Sequence, residues 1–107
     1  MRSKRRPYNL TPEELEKLCE IAENTARKYI FAKVSKSDVI NFATIVDIET
    51  KEDQLNVDIR VELDLKPFIR FNTDILANEA AEKAIKAVEK KLRELTGENT
   101  RTNKISK

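Results

Sequence analysis

The sequence predicts an α+β fold, a two-layer α-β-β-(β)-α domain with two long helices packed on one face of a small antiparallel sheet. Three observations predict it. Apolar residues recur at steps of three and four over residues 15–30 and again over 77–95. Between these stretches, over 40–65, the step falls to two. The chain has 107 residues with 39% hydrophobic content, enough for one core and too little for two.

The first helix has a complete start signal in "NLTPEEL". Thr11 is placed as N-cap, Pro12 as the first helical residue, and Glu14 as the third, where it closes a capping box. Leu10 and Leu15 flank the cap at the positions of a hydrophobic staple. Leu15, Leu18, Cys19, Ala22, Ala26, Tyr29 and Ile30 then gather on one side of a helix running to about residue 32. Cys19 lies among them and is expected to be a buried thiol, without a histidine base to make it a nucleophile.

After "AKVSKSD" the period changes, and Ile40, Phe42, Val46 and Ile48 share one face of a strand reaching about Thr50. Its outer face carries Val39, Ala43 and Ile45 among the polar Asn41, Asp47 and Glu49. In "LNVDIRVELDL" the alternation is strict. Leu55, Val57, Ile59, Val61, Leu63 and Leu65 point one way, and Asn56, Asp58, Arg60, Glu62 and Asp64 the other, as in a sheet with one covered and one wet face. "KEDQ" lacks the glycine or asparagine of a two-residue hairpin turn, so a four-residue loop, 51–54, is expected.

"KPFIRF" predicts a short third strand or an extended apolar connection over 67–71. Asn72, Thr73 and Asp74 are candidate caps for a second helix that runs to Thr96 and stops at Gly97. Ala77, Ala80, Ala81, Ala84, Val88, Leu92 and Leu95 form its buried stripe. Glu79–Lys83, Glu82–Lys86 and Glu89–Arg93 are spaced as favourable i,i+4 pairs. Two helices side by side cover about 20 Å and two strands only about 10 Å. A third strand closes part of that gap, and pairing with a second copy is expected to close the rest.

Composition excludes more than it identifies. There is no histidine and one cysteine, which leaves no internal disulfide, no usual zinc site and no histidine-based triad. No cofactor and no metal site are expected. No apolar run approaches the roughly 20 residues of a membrane span, so the expectation is a cytoplasmic protein without membrane contact. The 37% charged content, rich in Lys and Glu, leans towards a heat-adapted source. The net charge of +2 hides a segregation: +4 lies in residues 1–8 and +2 in 98–107, leaving −4 for the body. The expected organisation is a basic, disordered N-terminal tail over 1–9, one domain over 10–97, and a basic C-terminal tail over 98–107.

Two surfaces carry functional readings. Arg2, Lys4, Arg5 and Arg6 form a candidate nucleic-acid arm, which would bind phosphate weakly and without sequence preference. Arg101, Lys104 and Lys107 are its candidate helpers. A frayed, solvated end is the plainer reading of the same residues. Val39, Ala43, Ile45, Phe68 and Phe71 form a candidate interface with a second copy or another protein. The acids Asp47, Glu49, Asp58, Glu62 and Asp64 outnumber Arg60 on the wet face, where paired aromatics and basic rims would be expected of an RNA-binding sheet. The leading expectation is a non-enzymatic binding or scaffold protein acting through self-association or a protein partner. The alternative is a weak, non-specific nucleic-acid binder.

The stretches "LTPEELEKLCEIAE", "VDIETKEDQLNVDIRVELDL" and "ANEAAEKAIKAVEKKLREL" resemble a family of small archaeal proteins classed as a domain of unknown function, over about residues 10–97. The resemblance implies an α+β fold and an archaeal cytoplasmic setting, and it transfers no active site. The element order is also similar to that of double-stranded RNA-binding domains, but only as topology. Where that family presents a basic cluster at the start of its second helix, this chain presents Asp74 and Glu79.

Overall fold

A computed structural model describes residues 10–51 and 54–96. The order is α1 (Pro12–Lys33), a single 3-10 turn (Lys36–Asp38), β1 (Val39–Lys51), β2 (Gln54–Leu65) and α2 (Thr73–Thr96). The two strands form one antiparallel hairpin, and both helices lie on the same face of it. The expected α+β, two-layer arrangement is the one observed. Both tails and the expected stop at Gly97 lie outside the described residues.

The start of α1 is the predicted one. Thr11 Oγ1 accepts the Glu14 N–H at 3.1 Å, and Glu14 Oε1 accepts the Thr11 N–H at 3.0 Å. These satisfy two donors that the first turn cannot use internally. Leu10 packs against the core, whereas Leu15, its expected staple partner, is 36% exposed. At the other end the Val34 N–H donates to the Ile30 carbonyl and the chain turns extended. Asn72 caps α2, its Oδ1 accepting the Ile75 N–H at 3.1 Å.

The core follows steps of four along each helix. On α1 the buried row is Leu18, Ala22, Ala26 and Ile30, continued by Val34; on α2 it is Leu76, Ala80, Ala84, Val88 and Leu92, joined by Ala77. Alanines at the middle of both rows remove the side-chain bulk that would hold two helices apart, so the axes can approach near the low end of the usual ~8–10 Å. Cys19 is exposed, contrary to the burial expected of it. It stands about 100° around the helix from Leu18, and a row that packs mainly on one neighbouring helix is too narrow to cover it.

The hairpin departs from expectation in two ways, and the structure chooses between the two readings of the segment after it. First, Lys51 pairs with Gln54, so the strands run further than expected and the connection shrinks from four residues to 52 and 53, which lie outside the described residues. Second, Val39 pairs with Leu65 but Asn41 pairs with Asp64, a bulge that leaves Ile40 unopposed. An extra residue reverses the alternation on one side of it. Val39 therefore turns inward and packs against the core, and Ile40 is 63% exposed, the reverse of their predicted faces. Of the two readings of 67–71 the connection is the one found, with no strand: Pro67 and Phe68 lie in a turn closed by the Ile69 N–H on the Lys66 carbonyl at 3.0 Å. Proline has no N–H to give a ladder, and the segment spends its length linking β2 to α2.

Coverage of the two strands is unequal. Ile59 and Leu63 of β2 are buried, while no described side chain of β1 is. α2 lies against β2 and hardly meets β1, whereas α1 lies against α2 and meets β1 sparsely.

Candidate functional site

The residues named from the sequence as an interface divide between two places, with Val39 excluded by the bulge. Ala43 and Ile45 stay on the wet face, opposite Glu62 and Arg60, and both are half-buried. Phe68 and Phe71 lie in the segment between β2 and α2 and are 69% and 47% exposed. Ile40 and Ile75 are exposed too, and all four sit at the end of the hairpin where β1 begins, β2 ends and α2 starts. The Lys66 N–H donates to the Asp38 carbonyl at 3.0 Å and ties that end together. These large apolar side chains, held in water beside a tethered turn, are the kind of surface another polypeptide covers.

The wet face is acidic in a specific arrangement. Asp47 stands directly opposite Asp58, Asn41 opposite Asp64, Ala43 opposite Glu62 and Glu49 opposite Asn56, with Arg60 the cation among them. Carboxylates directly opposed across a strand pair repel each other. Among the described residues no three acids converge as a metal site would require. The basic residues Arg2, Lys4, Arg5, Arg6, Arg101, Lys104 and Lys107 lie outside the described residues.

The open side of β1 completes the site. Its helix-facing row is Phe42, Thr44, Val46 and Ile48, paired with Leu63, Val61, Ile59 and Val57 of β2. Each of the four is only half-buried. Phe31 of α1 reaches the Phe42 ring with centroids 5.8 Å apart, and the Arg27 guanidinium lies 5.4 Å above the same ring while its other contact is Glu23. The hydroxyl of Thr44 is covered but, among the described residues, has no hydrogen-bond partner. An unpaired buried hydroxyl costs about 1–3 kcal/mol.

A second grouping was not visible in the sequence. Tyr29 donates its hydroxyl to Glu79 of α2, and Lys33 and Lys83 place their ammonium groups 5.1 and 5.7 Å from its ring. Tyr29, Glu79 and Lys83, with Thr25, Glu82 and Lys86, line a groove of about 510 Å³ along the helix pair. Donation to the Glu79 carboxylate raises the Tyr29 pKa above its ordinary value of 10.0, since the ionised ring would lose that bond and face a like charge. Tyr29 read as core because it falls on the apolar side of α1, and Glu79 read as a partner for Lys83. Only the juxtaposition of the helices shows that each serves the other. The contact joins α1 to α2.

Among the described residues no helix is long and apolar enough to cross a membrane. A family model described as a protein of unknown function, DUF3194, matches residues 8–91. An uncharacterized protein of Thermococcus kodakarensis is 35% identical over 89 residues, spanning 83% of this chain and 82% of its own length. One from Pyrococcus horikoshii is 33% identical over 86 residues, 80% of this chain and 73% of its own. Among solved structures, a crystal structure from Thermococcus onnurineus superposes with a TM-score of 0.70 at 33% identity, covering 84% of this chain and 86% of that one. The solution structure of a hypothetical protein from Methanothermobacter thermautotrophicus gives 0.68 at 27% identity, covering 78% and 90%. These are likenesses of fold and lineage, and none of the descriptions carries an activity.

Proposed function

The chain belongs to the DUF3194 family of proteins of unknown function, and on that premise we propose that it is a non-enzymatic binding or scaffold protein of the cytoplasm. It acts through self-association or a protein partner, at the open side of β1 and the apolar segment beside it. One observation carries this reading: a 13-residue strand none of whose described side chains is buried forms half of the sheet. An exposed edge of that length offers a row of backbone donors and acceptors to another chain. Ala43 and Ile45 on its wet face, and Phe68 and Phe71 at its end, add apolar area to the contact.

The test compares three forms of the chain by light scattering at increasing concentration and by binding to generic RNA and duplex DNA. Where a second copy associates, Ala43→Glu or Ile45→Glu is expected to abolish that association while leaving any nucleic-acid binding intact. Removal of residues 1–6 is expected to do the reverse. A monodisperse monomer at high concentration refutes self-association. Duplex binding with a log-log salt slope near about −3.6, lost on truncation, would instead assign the function to four basic contacts in the arm.

A further inference from the structure

We infer that the space beneath α1 and beside β1 receives one extended segment of a partner protein, in which apolar residues alternate with Lys or Arg. This rests on the reading of the open side as a binding surface and names its occupant.

The space follows from two spacings. α2 lies on β2 and α1 lies beside α2, on the β1 side. Neighbouring helices stand about 8–10 Å apart and neighbouring strands about 4.8 Å. The axis of α1 therefore overhangs the line of β1 by roughly 3–5 Å, and its flank, another ~5 Å wide, extends further. One additional strand fits under that overhang, at hydrogen-bonding distance from β1.

What lines the space selects the strand's inward side. An added strand sets its inward residues beside Phe42, Thr44, Val46 and Ile48, which are half-buried and face the helices. Phe31 packs on the Phe42 ring at one end of this row, and Arg27, exposed and paired among the described residues with Glu23 and the Phe42 ring, is a cover that can swing aside. Apolar side chains complete that layer. A rotation of Thr44 about χ1 would turn its unpartnered hydroxyl towards the added strand.

The outward side is selected by charge. Outward residues of an added strand lie next to Ala43, Ile45, Asp47 and Glu49, with Asp58, Glu62 and Asp64 one strand further and Arg60 the opposing cation. Cations there relieve the repulsion between Asp47 and Asp58, and anions deepen it. A second copy supplying its own β1 fits worse on both counts: it adds its Asp47 and Glu49 to the acidic row and brings its own α1 into the space already used. Phosphate is repelled from the same face.

The experiment titrates isotope-labelled full-length protein with a heptapeptide of alternating Lys and Val, followed by amide chemical shifts, with light scattering on the same samples. Three controls accompany it: alternating Glu and Val, the same Lys and Val in two blocks, and the Asp47→Lys variant. That variant removes an opposed carboxylate and should fold at least as well, and Asp47→Asn serves as a milder second version. The expected result is shifts along 41–48 and at Arg27 and Phe31, with binding about tenfold weaker for Asp47→Lys and for each control peptide. Shifts confined to Asp58, Glu62 and Asp64, or equal binding of the alternating and blocked peptides, overturn the inference. If the peptide fails and the chain is a dimer that Ile45→Glu dissociates, the inference falls and self-association stands. If it fails and the chain is a monomer, both fall.

Discussion

Leu18→Ala tests how the core is built, because the sequence assigns Leu15 and Leu18 to the same buried stripe and the structure separates them. Leu18 is fully buried, among the largest side chains that are, whereas Leu15, three residues earlier, is 36% exposed. Removing a fully buried leucine forfeits its transfer free energy and leaves a cavity, for a total of about 2–5 kcal/mol. Leu18 has no exposed surface and sits in a close-packed core that can collapse only partly around the hole, so a value of about 3 kcal/mol or more is expected. A chain of this size has roughly 5–15 kcal/mol in all, so the loss is a large share of it. At about 4–8 °C per kcal/mol the melting temperature should fall by roughly 12–24 °C. Leu15→Ala loses only partial burial without a cavity and should cost about 1 kcal/mol or less. Urea unfolding followed by circular dichroism measures both variants. Equal losses, within about 0.5 kcal/mol, would show that the apolar row of α1 is as broad as the periodicity suggests and would refute packing by a single row at steps of four.

Cys19 should react with a thiol reagent in the folded protein at close to the rate seen in urea, since it is exposed; protection until unfolding would return it to the core. Tyr29 should ionise above the usual tyrosine range, read as ultraviolet absorbance against pH, and Tyr29→Phe should remove that late step. Because the folded pKa is the higher one, the contribution of this contact to stability is complete below about 10 and is lost as pH rises through the folded value. A stability profile above pH 10 that is unchanged in Tyr29→Phe would dismiss the Glu79 contact as incidental.

Local signals were read well where a few neighbouring residues decide the outcome. The capping box of Thr11 and Glu14, the cap at Asn72 (one of three adjacent candidates) and the long alternation over Leu55 to Leu65 each depend on contacts within three or four residues or on a period of two. Of the candidate interface residues, the sequence placed four at accessible positions and one on the wrong face. Ala43, Ile45, Phe68 and Phe71 are exposed or half-buried as an interface requires, while Val39 was misplaced by a bulge whose only trace in the sequence is two adjacent β-branched residues, Val39 and Ile40. No local pattern says which of the two faces inward. That depends on the register against Leu65, some 25 residues away.

The sequence by itself determined two helices flanking a hairpin, where each begins, and an acidic body between basic ends, because periodicity, caps and charge are properties of short stretches. Only the tertiary structure decided how wide each buried stripe is, which strand is covered, and that Tyr29 and Glu79 meet. The physical reason is spacing. Rows of alanine let the helices pack on each other, α2 takes β2 as its floor, and two strands are too narrow to serve both helices. Cys19 and Leu15 are left outside the core and the far side of β1 open, a consequence of how bodies of unequal width fit together.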